Sequence, residues 1–101
     1  MSPTDWEPAA ARLGSDSPGA RRVAILDLIR SSDPRTAAAF LSRLPRETDE
    51  RAALLMIRHL GAHAGPEAMP VLRSLYNEPR TPVAIAHAAI TEHDRIAART
   101  A

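Results

Sequence analysis

Two groups of histidine and carboxylate side chains are the places where this chain could do chemistry. His59 and His63 lie four residues apart, a spacing that on a continuous helix points both imidazoles towards one metal ion. Two ligands are too few for a zinc site, and the chain has no cysteine to supply others. We therefore expect two polar residues near a helix end, and we predict neither a metal site nor a cofactor.

The second group lies on the last helical segment and consists of His87, Glu92, His93 and Asp94. A histidine beside a carboxylate can act as an acid–base pair, or together with another histidine as a metal ligand. No nucleophile candidate and no glycine-rich phosphate loop accompanies these residues. We interpret the group as a solvated helix face and predict a protein that is not an enzyme.

Composition narrows the function classes further. The chain has 101 residues, enough for one domain, and only 3% of them are aromatic. All 13 basic residues are arginine, typical of GC-rich bacterial coding, and the net charge of +1 disfavours a nucleic-acid binder. No apolar run approaches the roughly 20 residues of a membrane span. The acidic, proline-rich start is unlike a signal peptide, so we expect a cytoplasmic protein without membrane contact.

Helix-start signals recur along the chain at a nearly constant interval. Ser17 precedes Pro18 and Thr81 precedes Pro82, while Thr48 precedes two acidic residues. A hydroxyl N-cap followed by proline or an acid satisfies the free N–H groups and the dipole of a helix start. Recurrence at about 31 to 33 residues is typical of stacked helical hairpins.

Six helical segments, arranged as three hairpins, account for the chain, and no segment has the alternation of a β-strand. The first segment begins with a capping box of Thr4 and Glu7, and Gly61 is expected to end the fourth. The odd-numbered segments carry one apolar stripe, whereas the even-numbered ones are apolar on several sides. We predict an all-α single domain spanning 1–101, with hairpins at about 5–30, 33–61 and 66–97.

Two stretches share a longer pattern. One copy of the pattern consists of Leu60 and Gly61 followed by 66–79. A second copy consists of 33–44 followed by 48–54, and 17–21 matches the second half of the same unit. This pattern resembles the short HEAT-like repeat of the phycobilisome-lyase type. The resemblance implies a short right-handed α-solenoid of about three antiparallel hairpins. It also implies three kinds of activity: protein or peptide binding, nucleic-acid binding as in HEAT-like DNA glycosylases, and an accessory role in a lyase-type enzyme.

In HEAT-type solenoids the second helices of successive repeats line the concave surface, and the resemblance transfers that surface to this chain. The polar residues on it are mixed in charge, which suits a protein or peptide partner. The alternative is an ordinary solvated face. We predict a small non-catalytic interaction or scaffold module whose candidate partner-binding residues are Arg22, Asp27, Arg30, Arg51, Arg58, His59, His87, Thr91, Glu92 and Arg95.

The two ends of the chain generate one expectation each. Trp6 is expected to cover the open end of the first hairpin, or alternatively to anchor a partner. The last helix has only a narrow polar stripe, although a terminal repeat normally shows a polar outer face. We therefore predict self-association or docking through the C-terminal helix.

Overall fold

The computed structural model describes residues 5–100. Every regular element in this range is helical, which confirms the all-α class and the six predicted helices. Short 3₁₀ turns at 12–14, 44–46 and 66–68 join or extend the helices. The α-helices are α1 (Trp6–Ala11), α2 (Pro18–Ser31), α3 (Arg35–Arg43), α4 (Glu50–His63), α5 (Met69–Asn77) and α6 (Val83–Thr100).

Side-chain caps fix where the central helices begin. Ser17 Oγ accepts a hydrogen bond from the Ala20 amide, as predicted for the start of α2. Thr48 was the predicted cap of α4, but Asp49 takes that role and accepts from the Ala52 amide at 3.0 Å. An aspartate is the better acceptor there because its negative charge also interacts favourably with the positive N-terminal end of the helix dipole. Thr4, the other half of the predicted first capping box, lies outside the described residues.

Gly61 does not end α4, contrary to the prediction, because α4 continues to His63. The glycine is buried, and a Cβ built on it would lie 2.7 Å from Cβ of Glu92 on α6. Its function is therefore to let α4 and α6 approach each other closely. The Arg99 guanidinium donates to the carbonyls of Gly61 and Ala64, which satisfies the true end of α4.

Helix contacts follow the order of the chain. Within successive pairs, α1 packs on α2, α3 on α4 and α5 on α6. Between pairs, α4 packs on both α2 and α6. The domain measures 35 × 30 × 15 Å, so it is flat. None of the helices formed by residues 5–100 combines the length and hydropathy that a bilayer span needs.

Helix α4 supplies the centre of the hydrophobic core. Its Met56, Ile57 and Leu60 are fully buried, and Phe40 and Leu72 pack into the same cluster from α3 and α5. Helix α4 needs apolar residues on several sides because it has neighbours on several sides. The prediction that α4 is apolar around much of its circumference matches this burial.

A buried ion pair ties α2 to the segment before α4. Arg21 Nε donates to both carboxylate oxygens of Glu47, at 2.8 and 2.9 Å, and both side chains are almost fully buried. The same guanidinium donates to the Ser15 carbonyl, and Arg43 approaches the Glu47 carboxylate to 3.5 Å. This network fixes the spacing of the first two helix pairs, and it was not predicted from the sequence.

Trp6 on α1 contacts the start of α3, in the second helix pair, so covering the open end of the first pair stays a prediction. Its indole N–H donates to Thr36 Oγ1 at 3.0 Å, and the Arg35 guanidinium lies 4.1 Å from the ring centroid. Thr36 in turn donates to the Leu28 carbonyl. The half-buried indole thus joins α1 to the start of α3.

Substitution of Arg21 tests the buried network. Arg21→Ala leaves the Glu47 carboxylate buried without its main partner, so we expect the free energy of unfolding to fall by about 3–5 kcal/mol. Arg22→Ala is the matched control: its guanidinium pairs with Asp49 but is 35% exposed, and its loss is expected to be much smaller. Urea denaturation measures both variants, and equal losses would contradict the role given to the buried pair.

Substitution of Gly61 tests the close approach of α4 and α6. Gly61→Ala raises helix propensity, yet we expect it to destabilise the protein by about 1–3 kcal/mol because the new methyl meets Glu92. Gly14→Ala is the control, since no atom lies within 4 Å of a Cβ built there. In thermal melts, the melting temperature should therefore fall more for Gly61→Ala than for Gly14→Ala. A higher melting temperature for Gly61→Ala would show that α6 is not held close to α4.

Candidate functional site: the groove between α2 and α4

One apolar side of α2 is left uncovered by the fold. Val23 is 56% exposed and Leu26 is 37% exposed, although the sequence predicted a helix buried on several sides. The opposite side of α2, which carries Ile25 and Leu28, is fully buried. The apolar circumference of α2 therefore exceeds what its neighbours α1 and α4 cover.

The uncovered side of α2 and the facing side of α4 form a groove of about 540 Å³. Apolar side chains dominate its surface, and its charged groups are all arginines. We call it the α2–α4 groove; it is lined by Gly19, Arg22, Val23, Leu26, Arg51, Leu54, Leu55 and Arg58.

Three predicted partner-binding residues, Arg22, Arg51 and Arg58, come together in this groove. Arg22 donates to Asp49 at 3.0 Å, and this bond, after the one from the Ala52 amide, holds the pKa of Asp49 below its ordinary value. Arg51 and Arg58 form no ion pair with any residue between 5 and 100 and are exposed. The groove thus presents two uncompensated positive charges beside exposed apolar surface.

A second, smaller groove of about 340 Å³ lies between α4 and α6. Leu54 and Arg58 line both grooves and so form the ridge between them. The predicted residues His87 and Thr91 line this α4–α6 groove from α6. Its lining includes the Glu92 side chain, so an acid is present here and absent from the α2–α4 groove.

Glu92 was predicted on an open face, and that prediction is wrong. The side chain is 6% exposed, packs against Gly61 and lies 3.1 Å from the guanidinium of Arg95. Arg95 and Arg30 are exposed but line neither groove. Asp27 lies 3.9 Å from Arg12, in the 3₁₀ turn after α1, and it does not line the α2–α4 groove.

His59 also lies away from the predicted surface. It is one residue beyond Arg58 and therefore turns about 100° round α4, where its ring packs edge-on against Phe40 at 5.1 Å. With His63 it lines a separate cavity of about 310 Å³, which Asp33 borders from the α2–α3 turn. No three or more His, Cys, Asp or Glu side chains within 5–100 are grouped closely enough to hold a metal ion.

The remaining histidine group is divided among different sides of α6. His93 turns towards α5, where its ring meets Tyr76 edge-on at 5.6 Å and its Nδ1 lies 3.2 Å from Asp94. His87 and Glu92 both line the α4–α6 groove, where Glu92 packs against Gly61 of α4. The helical period separates His93 from His87, and this separation follows from the sequence.

The pKa of His59 gives the protein a predictable pH dependence. Burial, and then the charge of nearby His63, lowers the pKa of His59 below 6.5, so the folded chain binds this proton less readily than the unfolded chain. The contribution of neutral His59 to the free energy of unfolding is therefore complete above pH 6.5, the ordinary pKa, and is lost as the pH falls through the pKa of the folded protein. We expect His59→Gln to flatten the fall in unfolding free energy between about pH 7 and pH 5.

Urea denaturation at each pH measures this effect as the difference between the two proteins. The pKa values of the Asp33, Asp49 and Glu67 carboxyl groups are all lowered in the folded protein. Their contributions to the free energy of unfolding are therefore lost only in more acidic solution. An unchanged slope in His59→Gln would show that His59 does not contribute.

Comparison of the chain with protein-family models, with curated proteins and with solved structures gives no match. The likeness to HEAT-like repeats therefore remains a prediction from the motifs of the sequence. The α2–α4 and α4–α6 grooves lie on the helices that carry the predicted partner-binding residues.

Proposed function

We propose that this protein is a small, non-catalytic interaction module that binds a protein or peptide partner on the face formed by α2, α4 and α6. The observation that carries the proposal is the uncovered apolar side of α2, where Val23 and Leu26 border the α2–α4 groove. Exposed apolar surface rimmed by polar residues is typical of protein-binding sites.

The contacts between helices support a solenoid arrangement for the module. In a helical-repeat solenoid, each hairpin packs on itself and on its neighbours along the chain. The pairing of α1 with α2, α3 with α4 and α5 with α6, together with the contacts of α4 to α2 and α6, is the order that such a solenoid requires. We infer a right-handed, HEAT-like stack of three antiparallel hairpins whose second helices share the binding face, in a cytoplasmic protein.

The character of the grooves favours a protein partner over a nucleic acid. A nucleic-acid site needs a sustained positive surface, and single strands also need aromatic side chains on which bases can stack. Neither groove contains Phe, Tyr or Trp, and the α4–α6 groove carries Glu92. Catalysis in the grooves is disfavoured because the close histidine–carboxylate pair of α6, His93 with Asp94 at 3.2 Å, lines neither of them.

The C-terminal helix supplies a smaller, separate surface for docking or self-association. Val83 is 85% exposed and Ile90 is 43% exposed on α6. Exposed apolar surface of this kind is typical of protein-contact sites. A second copy of the chain or a neighbouring protein would cover these side chains.

Site-specific photo-crosslinking tests the proposed binding face. A photoreactive residue replaces Leu26 in the α2–α4 groove or, as the control, the exposed Ala38 on α3. After irradiation in nuclease-treated lysate of the source cells, we expect a defined protein adduct from position 26 and none from position 38. Adducts from neither position, or equally from both, would contradict a binding face on the second helices.

A further inference from the structure

The α2–α4 groove is complementary to one kind of ligand. We propose that its occupant is an acidic amphipathic helix of a partner protein. The apolar side chains of that helix pack against Val23, Leu26, Leu54 and Leu55, and its carboxylates bind the arginines of the groove. This inference rests on the proposed function, because it names the partner that the binding face would take.

Charge complementarity selects an acidic ligand. The three charged side chains that line the groove are all arginines, and no acid lines it. Asp49 compensates Arg22, but Arg51 and Arg58 have no ion partner among residues 5–100. They lie seven residues apart, two turns or about 10 Å along α4, so carboxylates spaced by two turns on a parallel or antiparallel helix can meet both.

The apolar part of the groove selects a ligand with its own hydrophobic stripe. Val23 and Leu26 are exposed on one wall, and Leu54 and Leu55 are half-buried on the other. Apolar side chains at intervals of three and four residues on a bound helix would cover this surface and remove it from water. A purely acidic, unstructured segment would pair with the arginines but leave these residues exposed.

Hydrogen bonding favours a helix over an extended peptide. The side chains of the groove offer guanidinium donors but no acceptor. The groove-lining residues lie inside α2 and α4, so their backbone carbonyls already accept hydrogen bonds within those helices. An extended peptide would therefore find no acceptors for its own N–H groups on the groove floor, whereas a helix satisfies its backbone internally.

Designed peptides of about four helical turns test the proposal directly. The probe carries leucines at helical spacing and glutamates elsewhere; one control has the same composition in scrambled order, and a second has lysine in place of glutamate. Fluorescence anisotropy with the intact protein should show binding of the probe, with both controls at least about tenfold weaker. Equal binding of the scrambled peptide would overturn the requirement for an amphipathic helix.

Protein variants locate the binding. Arg51→Glu and Arg58→Glu should each weaken the probe about fivefold or more, and Leu26→Asp should remove binding. Arg80→Glu is the matched control, since it makes the same charge change at an exposed loop position outside the groove and should leave affinity unchanged. Equal weakening by Arg80→Glu would show general electrostatic attraction and overturn the assignment to this groove.

The other occupants appear as distinct results. Displacement of the probe by a single-stranded oligonucleotide at the same arginines would favour a nucleic-acid ligand. A dimer of the protein that Leu26→Asp dissociates in analytical ultracentrifugation would favour a second copy of the chain; either result overturns the proposal. If position 26 crosslinks to a partner but the acidic probe does not bind, the inference fails while the proposed function stands. If no partner crosslinks and no peptide binds, both fail.

Discussion

The buried pairing of Arg21 with Glu47 is the constraint around which the helices are arranged. Two charges removed from water must lie close together with their remaining hydrogen bonds satisfied, or their desolvation is not offset. Arg21 bonds both Glu47 oxygens and the Ser15 carbonyl, so its position on α2 fixes the turn before α2 and the segment that leads into α4. The next residue, Arg22, binds the cap of α4 and repeats the same link at the surface.

The consequence of this link is that α4 is held at the centre, with α2 on one side and α6 on the other. On the α6 side the approach is close enough to require a glycine, and Arg99 closes the end of the helix. On the α2 side the spacing set by the two arginine pairs leaves the α2–α4 groove open. The same packing that completes the core therefore creates the surface on which the functional proposals depend.

Helix class, number and most boundaries could be predicted from the sequence because they depend on local signals. Ser17 caps α2 and the regular part of α5 begins at Met69, one residue before Pro70, as proline chemistry requires. The prediction that Gly61 ends α4 is wrong because the sequence does not distinguish a glycine at a helix end from one at a helix crossing. The distinction depends on the facing residue, here Glu92. Glu47 gave no local signal, since its partner lies 26 residues away in the chain.

The candidate site was predictable only in part, for the same reason. The positions of Arg22, Arg51 and Arg58 on the binding face can be predicted from the helical period. The burial of Glu92 against Gly61 and the packing of His59 against Phe40 depend on which side of each helix its neighbouring helix covers. Single exposed apolar residues are ordinary on protein surfaces. The α2–α4 groove differs because its apolar residues are contiguous and its only charges have one sign. Folding alone does not require that combination, since polar side chains at Val23 and Leu26 would change stability little; recognition of an acidic, amphipathic partner gives it a physical reason.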